Sequence, residues 1–337
     1  MTCPDRRSGR TAARAWLVLA VVLLLTACGA PRDTVDVDPD GSQRWQNGRL
    51  FIATGNVTGV YYQLGGGYAD VITNNLPGYE AAAEPTGASV ENIQRVAEGD
   101  SHVAFTVADA AGDAAQGKGA FEGRPQPIRA LARIYPNVTQ LIVRTDAKIK
   151  SVMDLKGKRV STGSRNSGTE AIATRIFGVA KIDPAKDLTT LALSLPDTVQ
   201  GMKAGTVDAM FWSGGLPTAG ITDLVTDMGK KVAFVPLNDC LPDLEKKYGA
   251  DVYGPAVIPA ASYQIDKDIP TVAVPNLIIV HADMPDRLAA ELTRLLFDRR
   301  TDLAAVHPEA ENIDRTTADQ TAPVQLHPGA RSYYNSR

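Results

Sequence analysis

The sequence predicts an α/β fold in two similar lobes, and three observations carry that prediction. Strand-like and helix-like segments alternate from residue 49 onward. About 290 residues follow residue 48, more than one core usually serves. One local pattern occurs twice, as VAEGDSHVAF at 96–105 and MKAGTVDAMF at 202–211. Each copy ends a helix on a glycine, turns, and enters a strand. The copies stand 106 positions apart, too far for a solenoid period.

The segment ahead of the lobes reads as an export signal. Arg6, Arg7, Arg10 and Arg14 precede an uninterrupted apolar run of 11 residues at 15–25. That run is short for a bilayer span, which takes about 20 residues, and it suits a signal peptide. Leu25-Thr26-Ala27-Cys28 then has the pattern of a bacterial lipobox. Cleavage before Cys28 and lipidation of its sulfur are expected; the blander alternative is a simple signal peptide with a chance cysteine. The pair Arg6-Arg7 lacks the apolar residues that follow a twin-arginine export pair. The expected organisation is therefore a lipoprotein signal peptide at 1–27 and a lipid-anchored tether at 28–48. The tether holds Asp33, Asp36, Asp38 and Asp40 and little apolar pattern.

Losing residues 1–27 removes four of 35 basic and one of 38 acidic residues, leaving 31 minus 37, a formal charge of −6. A mildly acidic exported chain gives no support to nucleic-acid binding. With Cys3 removed and Cys28 lipidated, Cys240 stands alone. No disulfide framework or cysteine-based zinc site is then possible within one chain, and Cys240 reads as a small, half-buried residue.

Within the folded part, strands are expected at 49–54, 79–84, 102–107, 128–134, 140–144, 159–162, 189–192, 209–212, 231–236 and 271–281. Helices are expected between them, among others at 89–98, 168–179, 195–204 and 285–297. Ser89 and Ser151 read as helix-capping hydroxyls, the latter with Asp154 in the first turn. Pro136 and Pro275 interrupt two long apolar runs. Proline breaks sheet pairing, and two interrupted strands suit a two-strand hinge. The lobes are expected at 49–138 with 275–337, and at 139–274.

The stretch at 52–71, IATGNVTGVYYQLGGGYADV, carries the first functional signal. A strand leads into a polar turn with Gly55 and Gly59, and a helix is expected to open after Gly65-Gly66-Gly67. Strand, glycine-rich turn and helix start together present free N–H groups to an anion. The same pattern also serves as a plain surface turn.

Further motifs follow in order: Thr86-Gly87-Ala88-Ser89-Val90-Glu91-Asn92, Asp154-Leu155-Lys156-Gly157-Lys158, Ser167-Gly168-Thr169-Glu170, Gly205-Thr206-Val207-Asp208-Ala209, and Leu326-His327-Pro328-Gly329-Ala330. With Thr54-Gly55…Gly59-Val60-Tyr61-Tyr62 ahead of them, the chain resembles the TAXI (TRAP-associated extracytoplasmic immunogenic) solute-binding proteins of TRAP-type transporters. The resemblance covers residues 50–335. It departs at Asn56-Val57-Thr58, where more glycine is usual, and at Gln63, in place of a frequent proline.

The resemblance implies a type II periplasmic binding protein fold, with each lobe a central sheet flanked by helices and a two-strand hinge between them. It also implies a lipid-anchored extracytoplasmic receptor, monomeric and without cofactor. Such a receptor captures a small organic anion, a dicarboxylate or an acidic amino acid such as glutamate or 2-oxoglutarate, and delivers it to TRAP-type permease subunits. An ABC importer of sulfonates or thiamine precursors, or a ligand-sensing kinase partner, shares the fold.

Site expectations follow. Helix starts at Ser89 and at Gly168 suit an anion between the lobes. The hydroxyls of Thr54, Thr58, Ser89, Ser167 and Thr169 are expected to hold carboxylate oxygens, with Gly55, Asn56, Thr86 and Asn92 beside them. Arg165 reads either as a bidentate carboxylate partner or as a solvated loop arginine. Of the adjacent Tyr61 and Tyr62, one is expected to face the cleft, and Tyr61 is chosen. Trp212, at a strand end, reads as cleft wall or as core. Asp109 is expected to cap a helix rather than meet a ligand ammonium.

Enzymatic signatures are missing. His102, His281, His307 and His327 show no two-histidine helical spacing and no Cys/His cluster. Neither a Gly-x-Ser-x-Gly elbow nor a phosphate-cradling Gly-x-x-x-x-Gly-Lys-Ser/Thr occurs. His327, before Pro-Gly, is expected to steady the C-terminal turn.

Overall fold

A computed structural model describes residues 44–336, together with Thr2. The expected signal peptide, Cys28 and nearly all of the tether lie outside the described residues. From Trp45 onward the chain is one compact unit. Its strands are β1 (Arg49–Ala53), β2 (Glu80–Glu84), β3 (Val103–Val107), β4 (Ile128–Arg144), β5 (Arg159–Ser161), β6 (Thr189–Leu191), β7 (Ala209–Gly214), β8 (Val232–Val235), β9 (Gly254–Ile258) and β10 (Ile269–His281). The helices are α1 (Val60–Asn75), α2 (Ser89–Glu98), α3 (Ala108–Gln116), α4 (Gly168–Val179), α5 (Pro184–Asp187), α6 (Leu195–Ala204), α7 (Ala219–Met228), α8 (Leu241–Tyr248), α9 (Ala260–Tyr263), α10 (Asp286–Asp298), α11 (Arg300–Val306) and α12 (Pro328–Asn335).

The sheet runs β2-β1-β3-β10-β4-β7-β5-β6, with β8 added to β4 and β9 to β10. Two parallel triplets, β2-β1-β3 and β6-β5-β7, flank the antiparallel pair β10/β4. The protein thus has two halves of like topology, each a sheet flanked by helices. The repeated sequence pattern marks this likeness. Its two copies fall on α2 with β3 and on α6 with β7, the third strand of each triplet. Gly99 (φ 83°) and Gly205 (φ 73°) end the two helices in the left-handed conformation that glycine adopts without strain.

The expected interruption of two strands at proline is corrected. β4 and β10 run on through Pro136 and Pro275, and these prolines stand opposite each other. The register shifts just beyond them, between Pro275 and Leu277. Neither proline carries an N–H, so the pairing lacks bonds there without ending the strands. β9 was not expected; it contains Pro255, ends just before Pro259, and pairs with the first residues of β10.

The helix expected after Gly67 in fact begins at Val60 and runs through all three glycines. A Cβ on Gly65 would stand 2.3 Å from Thr54 Cγ2, and one on Gly67 would stand 2.9 Å from Val306 Cγ2. These glycines let α1 lie close against β1 and α11, and they form no anion loop.

Three apolar clusters fill the layers. One packs α1 and α10 on the sheet through Ile52, Leu64, Tyr68, Leu131, Ile278 and Leu292. A second lies under α6 and α7, with Ile142, Met202, Trp212, Ile221 and Leu224. The third joins both halves through Val107, Ala111, Ile172, Phe177, Phe211 and Tyr253. Ser151 and Asp154 form the expected capping box. His327 Nδ1 accepts from the Gly329 N–H at 3.2 Å and so caps α12.

Candidate functional site

Three helix starts converge where the two halves meet. α2 starts behind Ala88, which takes φ 90°, ψ −147°, a conformation costly for a residue with a Cβ. Ser89 is the first residue of α2 and not its cap; its hydroxyl accepts the Val107 N–H at 3.2 Å. The Val90 and Glu91 N–H groups donate to the Asn166 carbonyl of the other half, at 3.0 and 3.1 Å. α4 starts at Gly168, capped by the Ser167 hydroxyl, which accepts the Glu170 N–H at 3.0 Å. A Cβ on Gly168 would stand 2.6 Å from Ser89 Oγ and 2.8 Å from Val107 Cγ2. Only glycine lets the two helix starts meet this closely. At α6, the Leu195 N–H donates to Asn56 Oδ1 at 2.9 Å, and Asn56 Nδ2 donates to Ser164 Oγ at 3.3 Å.

Between these starts lies a cavity of about 30 Å³. Gly55, Asn56, Tyr61, Ala88 and Ser89 line it from one half; Ser164, Ser167, Gly168, Thr169 and Trp212 line it from the other. No residue lining it carries a charged side chain.

Its floor is a neutral polar network centred on Asn137 of β4 and Asn276 of β10. Tyr61 Oη donates to Asn276 Oδ1 at 2.5 Å, and Asn137 Nδ2 donates to the same oxygen at 2.9 Å. Asn276 Nδ2 donates to the Tyr135 carbonyl at 3.0 Å. Ser213 Oγ donates to Asn137 Oδ1, while the Ser213 N–H donates to Thr169 Oγ1 at 3.2 Å. Burial pushes the Tyr61 phenol far above its usual range, so it stays a neutral donor. Tyr135 also lines the cavity, and its hydroxyl is fully buried without a hydrogen-bond partner. Trp212 is held in place by its Nε1–H, which donates to Thr218 Oγ1 at 2.9 Å.

The expected site residues divide. Gly55, Asn56, Tyr61, Ser89, Ser167, Gly168, Thr169 and Trp212 line the cavity. Tyr62 does not, so the adjacent tyrosines diverge as expected. Trp212 is both cleft wall and part of a core. The remaining five stand elsewhere. Thr54 donates its hydroxyl to the Glu84 carbonyl at 2.6 Å. Asn92 ties the Thr54 and Phe105 carbonyls, at 2.7 and 2.8 Å, and accepts from the Thr86 hydroxyl at 2.5 Å. Thr58 turns its buried hydroxyl toward Gly220 of α7, where a Cβ would be 3.0 Å away. Arg165 is exposed and outside the cavity lining.

Asp109 is corrected as well. It accepts from Arg175 Nη1 at 2.8 Å and from Tyr253 Oη at 2.7 Å, tying α3 to the other half.

Tyr135, Asn137, Ser213 and Asn276 were missed. A signal for two of them exists: Pro136-Asn137 and Pro275-Asn276 repeat one dipeptide in the two long strands. Among the described residues, no group of three or more His, Cys, Asp or Glu side chains is placed to hold a metal, and no helix is long and apolar enough to cross a membrane.

A family model described as the NMT1-like family matches residues 52–336. The chain is also similar to a binding protein component of an ABC phosphonate transporter from Pseudomonas aeruginosa. That match has 13% identity, covers 86% of this chain and 94% of that one, and has a TM-score of 0.55. A protein from Prochlorococcus marinus in complex with methylphosphonate matches at 10% identity over 79% of this chain and 91% of that one, TM-score 0.53. A protein from Rhodopseudomonas palustris with bound malate matches at 15% identity over 86% and 97%, TM-score 0.52. At these identities the likeness is one of fold.

Proposed function

The chain belongs to the NMT1-like family and has a periplasmic binding protein fold, and we propose that it captures a small organic anion between its halves for delivery to a membrane transporter. The observation that carries this reading is the meeting of the α2 and α4 starts at a cavity lined by no charged side chain. Each helix start carries roughly half a positive charge, and hydroxyls and N–H groups suit an anion that brings its own charge. No carboxylate lines the cavity to meet an ammonium, which favours plain organic acids over glutamate among the ligands the TAXI resemblance implies. The family, and a transporter binding component that shares the fold, support a binding role rather than a catalytic one.

The halves divide at 138/139 and 274/275, beside the paired prolines, and close about that point. Motif order supports a TRAP-type permease as the partner; an ABC permease is the second reading, because an ABC phosphonate component shares the fold. Cys28 anchors the protein through lipid. Cys28→Ala is expected to release the protein from the membrane fraction with unchanged ligand affinity, and its retention there would reject the anchor.

Calorimetry against mono- and dicarboxylates, with X-ray scattering, tests the central reading. A bound acid with compaction on binding is expected. A panel in which no acid binds would overturn it.

A further inference from the structure

Asn56 stands where a ligand would be expected to extend. Its Oδ1 occupies the Leu195 N–H at the start of α6, a helix of ten residues. Its Nδ2 reaches Ser164 Oγ, and its side chain lines the cavity. The α2 start is used as well, since the Asn166 carbonyl takes the Val90 and Glu91 N–H groups. The α4 start lines the cavity at Gly168 and Thr169, and α2 lines it at Ser89, its next two N–H groups being already taken.

We propose that Asn56 sets the ligand class of this cleft. Its carboxamide fills the position of a second anionic group, so the cleft accepts a small monocarboxylate and rejects a dicarboxylate. This rests on the reading of the cleft as an anion site. The single carboxylate lies against the first turn of α4 and the hydroxyls of Ser89 and Ser167. Tyr135 offers a buried phenol without a protein partner, a donor for a second, uncharged oxygen. A 2-oxo or 2-hydroxy monocarboxylate carries both features, and the apolar faces of Trp212, Val60 and Val107 suit its short carbon chain.

The test is calorimetry on the purified full-length protein with pyruvate, lactate and propionate against succinate and malate. The wild type is expected to prefer pyruvate or lactate to succinate by roughly ten- to hundredfold, the worth of a charge-assisted hydrogen bond. Asn56→Ala frees the Leu195 N–H and the space beside it, and should move that ratio toward succinate by a similar factor. Asn56→Asp keeps the acceptor for Leu195 and adds a negative charge, so it should weaken all five acids while the melting temperature holds. That variant serves if Asn56→Ala does not fold. Tyr135→Phe should weaken pyruvate and lactate but leave propionate unchanged. A wild type that binds succinate or malate as tightly as pyruvate would overturn the proposal, as would Asn56→Ala with the wild-type ratio or Asn56→Asp with the wild-type affinities. If none of the five acids binds the wild type, the anion reading fails and this inference goes with it.

Discussion

The two halves touch through two kinds of contact. Beside the cavity, they meet through neutral groups: Asn56 to Leu195, and the Asn166 carbonyl to α2. Behind α3 and α4 they meet through charge. Arg175 lies 2.8 Å from Asp109 and 2.5 Å from Asp113, and over the Tyr248 ring at 4.5 Å. Asp109 is fully buried there and shared with Tyr253. The difference teaches where a molecule built of two such halves keeps its own charges. Ions fixed to one another tie α3 to α4 there, outside the lining of the cavity. At the cavity no charged side chain is used, and helix starts, amides and hydroxyls face the space instead.

The largest effect is expected at Arg175. Arg175→Met leaves Asp109 buried without its cation and should cost about 3–5 kcal/mol of stability, read by denaturant unfolding. A loss under 1 kcal/mol would mean that the charged contact matters little and that the comparison fails.

Next comes Gly168→Ala. Its Cβ would force Ser89 and α4 apart, and overpacking of this kind costs roughly 1–3 kcal/mol. The cost falls on the closed form, so ligand affinity should drop by about one to two decades while ligand-free melting moves little. Equal losses in both would place the strain in the fold and not in closure.

Asp208 sharpens the contrast, because its ion pair lies inside one half. Side-chain and backbone hydrogen bonds from Arg159 hold its carboxyl below the usual range. A depressed folded value means that the unfolded chain binds more protons as pH falls. The stability that Asp208 supplies is therefore present above about pH 4, the ordinary aspartate value, and lost as pH falls through the folded one. Asp208→Asn should be less stable than wild type at neutral pH, and the two curves should converge in acid with ligand affinity unchanged. Curves that stay parallel would remove the ion pair as the cause.

The smallest effect belongs to Asn166→Gly. The contact to α2 uses the backbone carbonyl, and φ is 60° there, which glycine adopts freely. Stability and affinity should stay within about 0.5 kcal/mol of wild type. A larger loss would assign the contact to the asparagine side chain.

Much of the fold was legible because local signals agreed with it. The bounds of α2, α4 and α6 follow from the caps of α4 and α6, the terminal glycines of α2 and α6, and apolar spacing, and the repeated helix–glycine–strand pattern located equivalent strands of the two halves. The glycines of α1 misled because sequence shows freedom of the backbone but not what lies 2.3 Å away. At the cavity, the helix-start residues were readable as motifs. Thr54 and Asn92 carry the same polar chemistry yet face carbonyls of their own half, a matter of side-chain direction that no spacing reveals. Asn137 and Asn276 were hidden inside apolar strands, where a polar residue acquires meaning only once the two strands are paired.

The missing Cβ of Gly168 has a consequence for traffic at the membrane. Two positive helix ends pressed together repel unless an anion lies between them. In the proposed receptor, halves without ligand would then part more readily, and open molecules would not compete with loaded ones for a limited number of permeases. One absent methyl group would in this way guard against idle cycling of the transporter. Fluorescence distance records of the unloaded protein can check this, since a mostly closed population would speak against it.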